Sequence, residues 1–479
     1  MRKILALAGA AVALSFTLTA CGNKQDNKEF AIAFPFTPVA SFSPFSDDAT
    51  YLTRLGIGET LVALDKDGLP QPWLAQSYSQ TSPNTVRFVL RSGVKFQNGT
   101  MVTPQAVVDS LNRAYNATTR PPGLGKNTLS FSISGDNTVD VTSNVADPIL
   151  AQRFSDPGTV ILDNDNSGTG PFSLGSLDAS QAELTAFNDY WGGKAKLDHY
   201  TAKFITDGTT RANALRSGEV KAITSAPVNQ LPQLGDYTID SYDIPRTTLA
   251  YFNTAKGVFT DPAQRARAAG IVDGDSIIAT AYEGHASSAD NGLFNPNSQW
   301  NAFRTPSGII PSVDVAPEAT STPITIGTYT DRAELGEAAS LLADQLRTVG
   351  YTVNISVADY KTQEPHFLNG DFDIVLGSRN YQLASGDVVN YLNSDFSCTG
   401  SYNLSHYCNQ TIDARINEAL GKSDTQDRFM TASTIGADII ADHAVVPIAV
   451  NQGLIAQDSK VANLYLDPYE RRLITNETA

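Results

Sequence analysis

Apolar and polar side chains alternate along several short stretches of the chain, and this period of two predicts half-buried β-strands. Residues 85–90 place Val86, Phe88 and Leu90 on one face, and residues 351–357 alternate in the same way. Three other stretches also favour strands, namely 137–141, 324–328 and 372–376. The pattern therefore predicts strands in both halves of the chain.

Three further stretches have apolar side chains at helical spacing. Thr103 and Pro104 are residue types favoured at the N-cap and the first position of a helix, which we expect to run through Tyr115. Residues 261–269 begin with Asp-Pro and predict a second capped helix. The apolar stripe at 338–346 predicts a third helix, which Gly350 would end.

After about residue 320 these elements follow the order strand, helix, strand. That order predicts an α/β lobe with at least one parallel pair of strands. Residues 305–323 are rich in Pro, Ser and Thr and predict a long loop in front of this lobe.

The first twenty residues have the features of an export signal. Arg2 and Lys3 precede a mostly apolar run at 4–18, which is shorter than the roughly twenty residues that span a membrane. Small residues then precede Cys21 and resemble the bacterial lipobox, in which the signal is cleaved before a cysteine that carries lipid. This resemblance implies a signal peptide at 1–20, lipidation at Cys21 and a polar tether at 21–29. The alternative is an ordinary secretory signal with a coincidental cysteine.

Composition and charge narrow the function classes. The chain has 479 residues, with 34 basic and 50 acidic side chains and a formal net charge of −16. Nucleic-acid binding needs a cationic face, so this acidic excess argues against it. We expect a soluble mature domain, anchored by lipid at the extracytoplasmic face of the bacterial cell membrane.

Two cysteines remain after Cys21. An exported protein meets oxidising conditions, so Cys398 and Cys408 can form a disulfide, or remain a free buried pair. His406 lies near Cys408, but nothing close by in the sequence completes a four-ligand zinc set. We therefore expect no metal site and no cofactor.

The sequence shows no pattern of an enzyme active site. It contains no His-Glu-x-x-His zinc motif, no Gly-x-Ser-x-Gly nucleophile motif and no phosphate-loop lysine. Its five histidines are scattered singly. We expect no catalytic residues and no enzyme activity, with a secreted hydrolase as the enzyme alternative.

Several stretches together resemble one protein family. They are 64–75, 88–99 (Phe-Val-Leu-Arg-Ser-Gly-Val-Lys-Phe-Gln-Asn-Gly), 168–172 (Gly-Thr-Gly-Pro-Phe), 188–193 (Asn-Asp-Tyr-Trp-Gly-Gly) and 251–253 (Tyr-Phe-Asn). In order and spacing they are similar to the extracytoplasmic solute-binding proteins of the peptide/nickel class of ABC importers, family 5. The resemblance extends over about 45–450.

The family resemblance implies a two-lobed α/β fold of the periplasmic-binding-protein type, with a hinge and an extra domain inserted in the first lobe. The first lobe would comprise 30–58, 168–250 and 452–479, the inserted domain 59–167, and the second lobe 251–451. Closure of the lobes would bury the solute.

The resemblance also places ligand contacts after the strand at 372–376. Tyr381 takes the place of a family Trp and would stack on the ligand, or else pack in the core. Arg379, two residues earlier, would clamp a carboxylate, or else pair with a carboxylate of the protein. Ala384 takes the place of the Asp that pairs with the amino terminus of a peptide ligand. Either Asp387 assumes that role or the ligand has no free ammonium there.

Other positions carry weaker signals. Asn253, Tyr51 and Phe45 are further candidates for the ligand cleft. Cys398 and Cys408 lie where dipeptide-binding relatives have a bridged loop, which favours the disulfide.

The sequence thus predicts a lipid-anchored receptor that captures a small solute, peptides first of all, and delivers it to an ABC permease with its ATPase. One alternative is a receptor for nickel or another metal chelate. Another is a binding or signalling lipoprotein without a transport role. We expect a monomer that does not bind nucleic acid.

Overall fold

The structure is a computed structural model that describes residues 30–66, 68–296 and 322–479. The predicted signal peptide, the lipid site at Cys21, the tether and nearly all of the predicted loop at 305–323 lie outside the described residues. The described residues form a mixed α/β fold, as predicted.

The strands of the described residues are β1 (Phe30–Phe34), β2 (Val62–Leu64), β3 (Pro70–Pro72), β4 (Ala75–Ser82), β5 (Thr85–Leu90), β6 (Leu129–Gly135), β7 (Thr138–Ser143), β8 (Phe172–Leu177), β9 (Gln181–Ala186), β10 (His199–Phe204), β11 (Ala222–Thr224), β12 (Thr238–Phe252), β13 (Ala286–Ser288), β14 (Ile324–Tyr329), β15 (Val353–Ala358), β16 (Ile374–Asn380) and β17 (Val445–Gln457).

The α-helices of the described residues are α1 (Ala49–Arg54), α2 (Pro104–Tyr115), α3 (Leu150–Arg153), α4 (Gly208–Arg216), α5 (Pro262–Ala269), α6 (Gly274–Ala281), α7 (Ala333–Thr348), α8 (Tyr360–Asn369), α9 (Val388–Phe396), α10 (Gln410–Leu420) and α11 (Thr425–Ala441).

One large mixed sheet runs through the molecule. Its strand order is β15-β14-β16-β12-β17-β11-β1-β10-β9-β8, and β13 pairs with β17. β14 pairs in parallel with β15 and with β16, which confirms the predicted parallel pair. In the other half of the sheet, β1 lies parallel to β10 and β11.

The long strands β12 and β17 join the two halves of this sheet. The start of β12, from Thr238 to Asp243, pairs with the end of β17, which also pairs with β11. The end of β12, from Arg246 to Phe252, pairs with β16. Each long strand therefore belongs to both halves of the molecule.

A separate four-stranded antiparallel sheet, β4-β5-β7-β6, is formed by residues that lie between β1 and β8 in the chain. The buried positions of β5 alternate as predicted, and its core includes Val86, Phe88 and Leu90. α2 packs on this sheet and begins as predicted, because the Thr103 side chain accepts a hydrogen bond from the Ala106 amide.

Several predicted elements have different ends in the structure. α5 matches its prediction, but α7 begins earlier, at Ala333, and Gly350 follows it with a φ of +96°. The strand predicted at 351–357 begins only at Val353, since the Tyr351 amide still bonds the Leu346 carbonyl at the end of α7. β16 extends past its predicted end to Asn380.

The buried apolar side chains form separate clusters on the two sides of the crossing strands. The largest cluster surrounds Leu249–Phe252 and α7, with α9, α10 and α11. Two others pack against β1, one with β8 to β10 and one with α4 and β11. Another cluster fills the β4–β7 sheet with α2.

Candidate functional site

The candidate site lies where the paired strands β12 and β17 pass from one half of the sheet to the other. This point is called the crossing of the two strands. Asp243 pairs with Gln452 and Thr247 pairs with Val450, so three residues of β12 oppose only Asn451 at this break. The side chains around the break line a small cavity. Residues from α1, β11, β12, α7, β17 and the C-terminal segment form its wall.

A charged cluster dominates this cavity. Arg246 donates to Glu470 Oε2 through Nη2, and Arg332 Nη2 lies 3.6 Å from Glu470 Oε1. Burial alone would raise the pKa of the Glu470 carboxyl, but the guanidinium groups of Arg246, Arg332 and Arg54 hold it well below its usual range. Glu470 is therefore ionised and pairs with Arg246 and Arg332, while the charge of Arg54 acts on it from further away.

No motif in the sequence indicates this cluster. Arg54, Arg246, Arg332 and Glu470 come from four distant parts of the chain, so no local spacing joins them. Burial of the arginines would have indicated the cluster, but a single sequence does not reveal which arginines are buried.

Tyr381 lies next to the crossing and is buried, with 3% of its surface exposed. Its ring contacts Phe294 and Tyr391 at centroid distances of 5.1 and 5.9 Å. Its hydroxyl accepts a hydrogen bond from the Asn295 amide. The ring thus has the core contacts that the sequence analysis left open as the alternative to stacking on a ligand.

Arg379 pairs with a carboxylate of the protein. Its Nε lies 2.8 Å from Asp395 Oδ1, and its guanidinium carbon lies 4.0 Å from the centroid of the Tyr402 ring. Asp395 is buried, and burial raises its pKa while Arg379 lowers it. Asp47 lies in the opposite half of the molecule. Burial raises the pKa of its carboxyl group, and the positive charge of Arg379 partly offsets this rise. The ion pair is the second of the two roles that the sequence left open.

Ala384 is half-buried in the loop after β16, and Asp387 follows at the N-cap of α9. Asp387 Oδ1 lies 2.7 Å from Arg428 Nη2, and Asp387 Oδ2 lies 3.0 Å from Arg428 Nε. The same carboxylate accepts from the Asn390 amide. Its charge is thus compensated inside the protein, and a ligand ammonium would have to compete with Arg428.

The weaker candidates have local partners. Asn253 Nδ2 donates to the Gly370 and Phe372 carbonyls, and its Oδ1 accepts from two amides. Tyr51 is buried, donates to the Phe36 carbonyl and stacks on Phe42. Phe45 packs partly against the core of the β4–β7 sheet. The structure does not bring these three to the cavity wall.

The loop after β16 is tied to the rest of the molecule by Arg471. This side chain is 4% exposed and donates to the carbonyls of Gln382 and Leu383 in the loop. It also donates to the carbonyl and hydroxyl oxygens of Ser155, which lies after α3. Lys126 forms a more exposed bridge, donating to Thr399. The two halves of the molecule are therefore in contact across the cleft.

The predicted disulfide between Cys398 and Cys408 is present. Within 30–66, 68–296 and 322–479, no cluster of three or more histidine, cysteine or acidic side chains is arranged to hold a metal ion. The helices of the same residues are all too short or too polar to cross a bilayer.

Comparison with known proteins gives consistent matches over nearly the whole chain. Residues 70–403 match the family described as bacterial extracellular solute-binding proteins, family 5. The nickel-binding protein NikA of Staphylococcus aureus is 25% identical, with 96% of each chain covered.

Two solved structures show the same fold. The crystal structure of Staphylococcus aureus NikA in complex with Ni(L-His)2 has a TM-score of 0.84 at 24% identity. A dipeptide-binding protein from Pseudoalteromonas in complex with Met-Leu has a TM-score of 0.83 at 18% identity. In both comparisons 94% of this chain and 99% of the other chain are covered.

Proposed function

Because this chain belongs to family 5 of the bacterial extracellular solute-binding proteins, we propose that it captures a small solute between two lobes and delivers it to an ABC import permease and its ATPase. One observation carries this proposal. The strands β12 and β17 each pass through both halves of the sheet, and polar contacts such as those of Arg471 bridge the cleft beside their crossing. Such a connection suits closure about a hinge.

The division into lobes that we propose is the one that the family resemblance implies. The first lobe comprises 30–58, 168–250 and 452–479, with 59–167 inserted, and the second comprises 251–451. The separate core of the β4–β7 sheet supports the insertion. We further propose export by a signal peptide at 1–20, lipid anchoring through Cys21 at the extracytoplasmic face of the membrane, a monomeric state and no catalysis.

Short peptides are the first ligand class. The similarity in fold to a dipeptide-binding protein supports this choice. Peptides present carbonyl and amide groups along their whole length, so a cleft can hold them largely through main-chain hydrogen bonds.

A chelate of nickel or another metal is the second candidate, and a specific observation favours it. Ala384 stands where peptide-binding relatives have the amine-pairing Asp, and Asp387 is already paired with Arg428. A buried ammonium without a counter-charge costs several kcal/mol. A solute without a free amino terminus would avoid that cost.

Native mass spectrometry of the purified protein tests the proposal. Small molecules that co-purify are released and identified. A mixture of short peptide masses supports the peptide class, and nickel with a small chelator supports the second class. A protein that carries no solute, and binds none when peptides and nickel chelates are added, contradicts the receptor function.

A further inference from the structure

The proposed inserted domain at 59–167 lies against the second lobe at the loop between β16 and α9. Resting on the proposed receptor function and its division into lobes, we infer that Leu64 and Gly386 form a latch between this domain and that lobe. The latch stabilises the closed form without touching the solute. The inserted domain thereby sets how tightly every solute is held.

Gly386 is the second-lobe half of the latch, and its φ is +68°. A Cβ atom at this position would lie 2.3 Å from Leu64 Cδ1, 3.0 Å from Gln152 Nε2 and 3.4 Å from the Gly68 carbonyl oxygen. All three of these atoms belong to the proposed inserted domain. Leu64 therefore occupies the space that a side chain at position 386 would need.

The close approach is reciprocal. Gly68 follows β2 with a φ of +78°, and a Cβ atom there would lie 2.9 Å from Gln382 Nε2 and 3.6 Å from the Gly386 carbonyl oxygen. Two glycines with positive φ thus bring the main chains of the inserted domain and the second lobe together. A side chain at either position would force the two surfaces apart.

Each of the two surfaces is complete on its own side. Gln152 Nε2 donates to the Gly68 carbonyl within the inserted domain, and Gln382 Nε2 donates to the Gly386 carbonyl within the second lobe. Neither bond has to break when the surfaces separate. Among the described residues, the strands of the inserted domain form sheets of their own, β2-β3 and β4-β5-β7-β6, and pair with no strand of the second lobe. The contact is therefore a preformed fit that can open and close.

Leu64 provides the apolar surface of the latch. It is 4% exposed but belongs to none of the apolar clusters of the described residues, whereas Val62 of the same strand lies in the core of the β4–β7 sheet. Separation from Gly386 would expose part of the Leu64 side chain to water. Exposure of apolar surface is unfavourable, so Leu64 favours the closed form.

The latch is separate from the candidate site. Leu64, Gly68 and Gly386 are not among the residues that line the cavity at the crossing. A second contact joins the same domain to the same lobe, because Lys126 Nζ donates to Thr399 beside the disulfide. A contact that does not involve the solute changes the closed population by the same factor whichever solute is bound.

Small-angle X-ray scattering of the solute-free protein tests the latch. Co-purified solute is removed by partial unfolding in urea and dialysis. We expect Leu64→Ala to increase the radius of gyration because apolar contact is lost, and Gly386→Ala to increase it because the added Cβ meets Leu64. By isothermal titration calorimetry, affinity for the probes Met-Leu and Ni(II) with L-histidine should fall about fivefold or more, equally for each probe that binds.

Each variant has a matched control. Leu69→Ala removes the same side-chain atoms from the turn between β2 and β3, where Leu69 is 43% exposed. Gly93→Ala adds a Cβ at a φ of +77°, but that Cβ meets open space. Both controls should keep the radius and the affinity of the unchanged protein. Circular dichroism checks that each variant is folded, and Leu64→Val takes the place of Leu64→Ala if the alanine variant does not fold.

The outcomes separate this inference from the receptor function. An unchanged radius in either latch variant overturns the latch and leaves the receptor function standing. A loss of affinity for one bound probe and not for the other also overturns it, because the residue would then contact that solute. If the unchanged protein carries no solute and binds neither probe, the receptor function fails, while larger radii in both latch variants still support the latch.

Discussion

Tyr381 shows how much a single side chain can contribute to the core beside the cleft. Its ring is buried against Phe294 and Tyr391, and its hydroxyl accepts from the Asn295 amide. This burial indicates that removal of the ring has a large cost in stability.

We predict that Tyr381→Ala lowers the free energy of unfolding by about 3–5 kcal/mol, because it removes a buried ring and leaves a cavity. Tyr381→Phe keeps the ring and should cost only about 1–2 kcal/mol, for the lost hydrogen bond to Asn295. Urea unfolding of both variants measures the difference. An alanine variant as stable as the phenylalanine variant would contradict the packing role.

Glu59 is a buried carboxyl held by neutral donors. Thr169, Tyr190 and Trp191 each donate to it at 2.8 Å. Burial raises its pKa from 4.5 to about 7, although the three hydrogen bonds and Arg91 favour the charged form. The protonated form is therefore favoured by folding.

A raised pKa in the folded state predicts that stability falls with rising pH. The contribution of Glu59 should be complete below about pH 4.5 and lost as the pH passes through about 7, a change of about 3 kcal/mol. Glu59→Gln stays neutral and should not show this loss. Urea unfolding of both proteins from pH 4.5 to 8 tests it, and a constant difference between them would refute the prediction.

At the scale of elements, α9 begins at a buried ion pair. Asp387 is its N-cap residue and bonds Arg428 of α11, whose Nη1 also donates to carbonyls at the end of α10. The pair therefore joins three helices of the proposed second lobe.

We predict that Asp387→Asn, which can still cap the helix, lowers stability by about 3 kcal/mol because Arg428 stays buried without its counter-charge. Adding Arg428→Gln should cost less than the sum of the two single changes. Asp359→Asn is the matched control at the exposed N-cap of α8, with an expected change below about 0.5 kcal/mol. Additive effects of the pair would show that the two residues are not coupled.

Elements with a local signal could be predicted from the sequence. The Thr103–Pro104 start of α2 and the alternation of β5 depend on neighbouring residues, and both were predicted correctly. The end of β16 was not, because residues 377–380 have no apolar pattern and are held in the sheet by pairing with β12. The arginines around Glu470 could not be found either, since only the folded chain brings residues 54 and 470 together.

At the scale of the whole molecule, Arg471 connects the C-terminal segment with both sides of the cleft. It donates to Ser155 on one side and to Gln382 and Leu383 on the other. An open cleft cannot keep both sets of bonds.

We predict that Arg471→Gln shifts the population toward an open form. The radius of gyration from small-angle X-ray scattering should increase, and affinity for the solute identified by mass spectrometry should fall about fivefold or more. Arg472→Gln is the matched control, because the contacts of Arg472 with Tyr465 and Asp467 of its own segment and with Trp73 all lie within the proposed first lobe and its insertion. An unchanged radius together with unchanged affinity would exclude this role for Arg471.

The break in pairing between β12 and β17 gives the connection between the lobes a point at which the two strands can bend. Pro245 has no amide hydrogen to leave unpaired there, and its carbonyl accepts from the amide of Tyr381, directly after the end of β16. No pair between β12 and β17 is formed at residues 244–246, so the two strands can bend more easily here than where they are paired. The side chains around the same break line the candidate site, so a substitution that changes the site there also changes the joint.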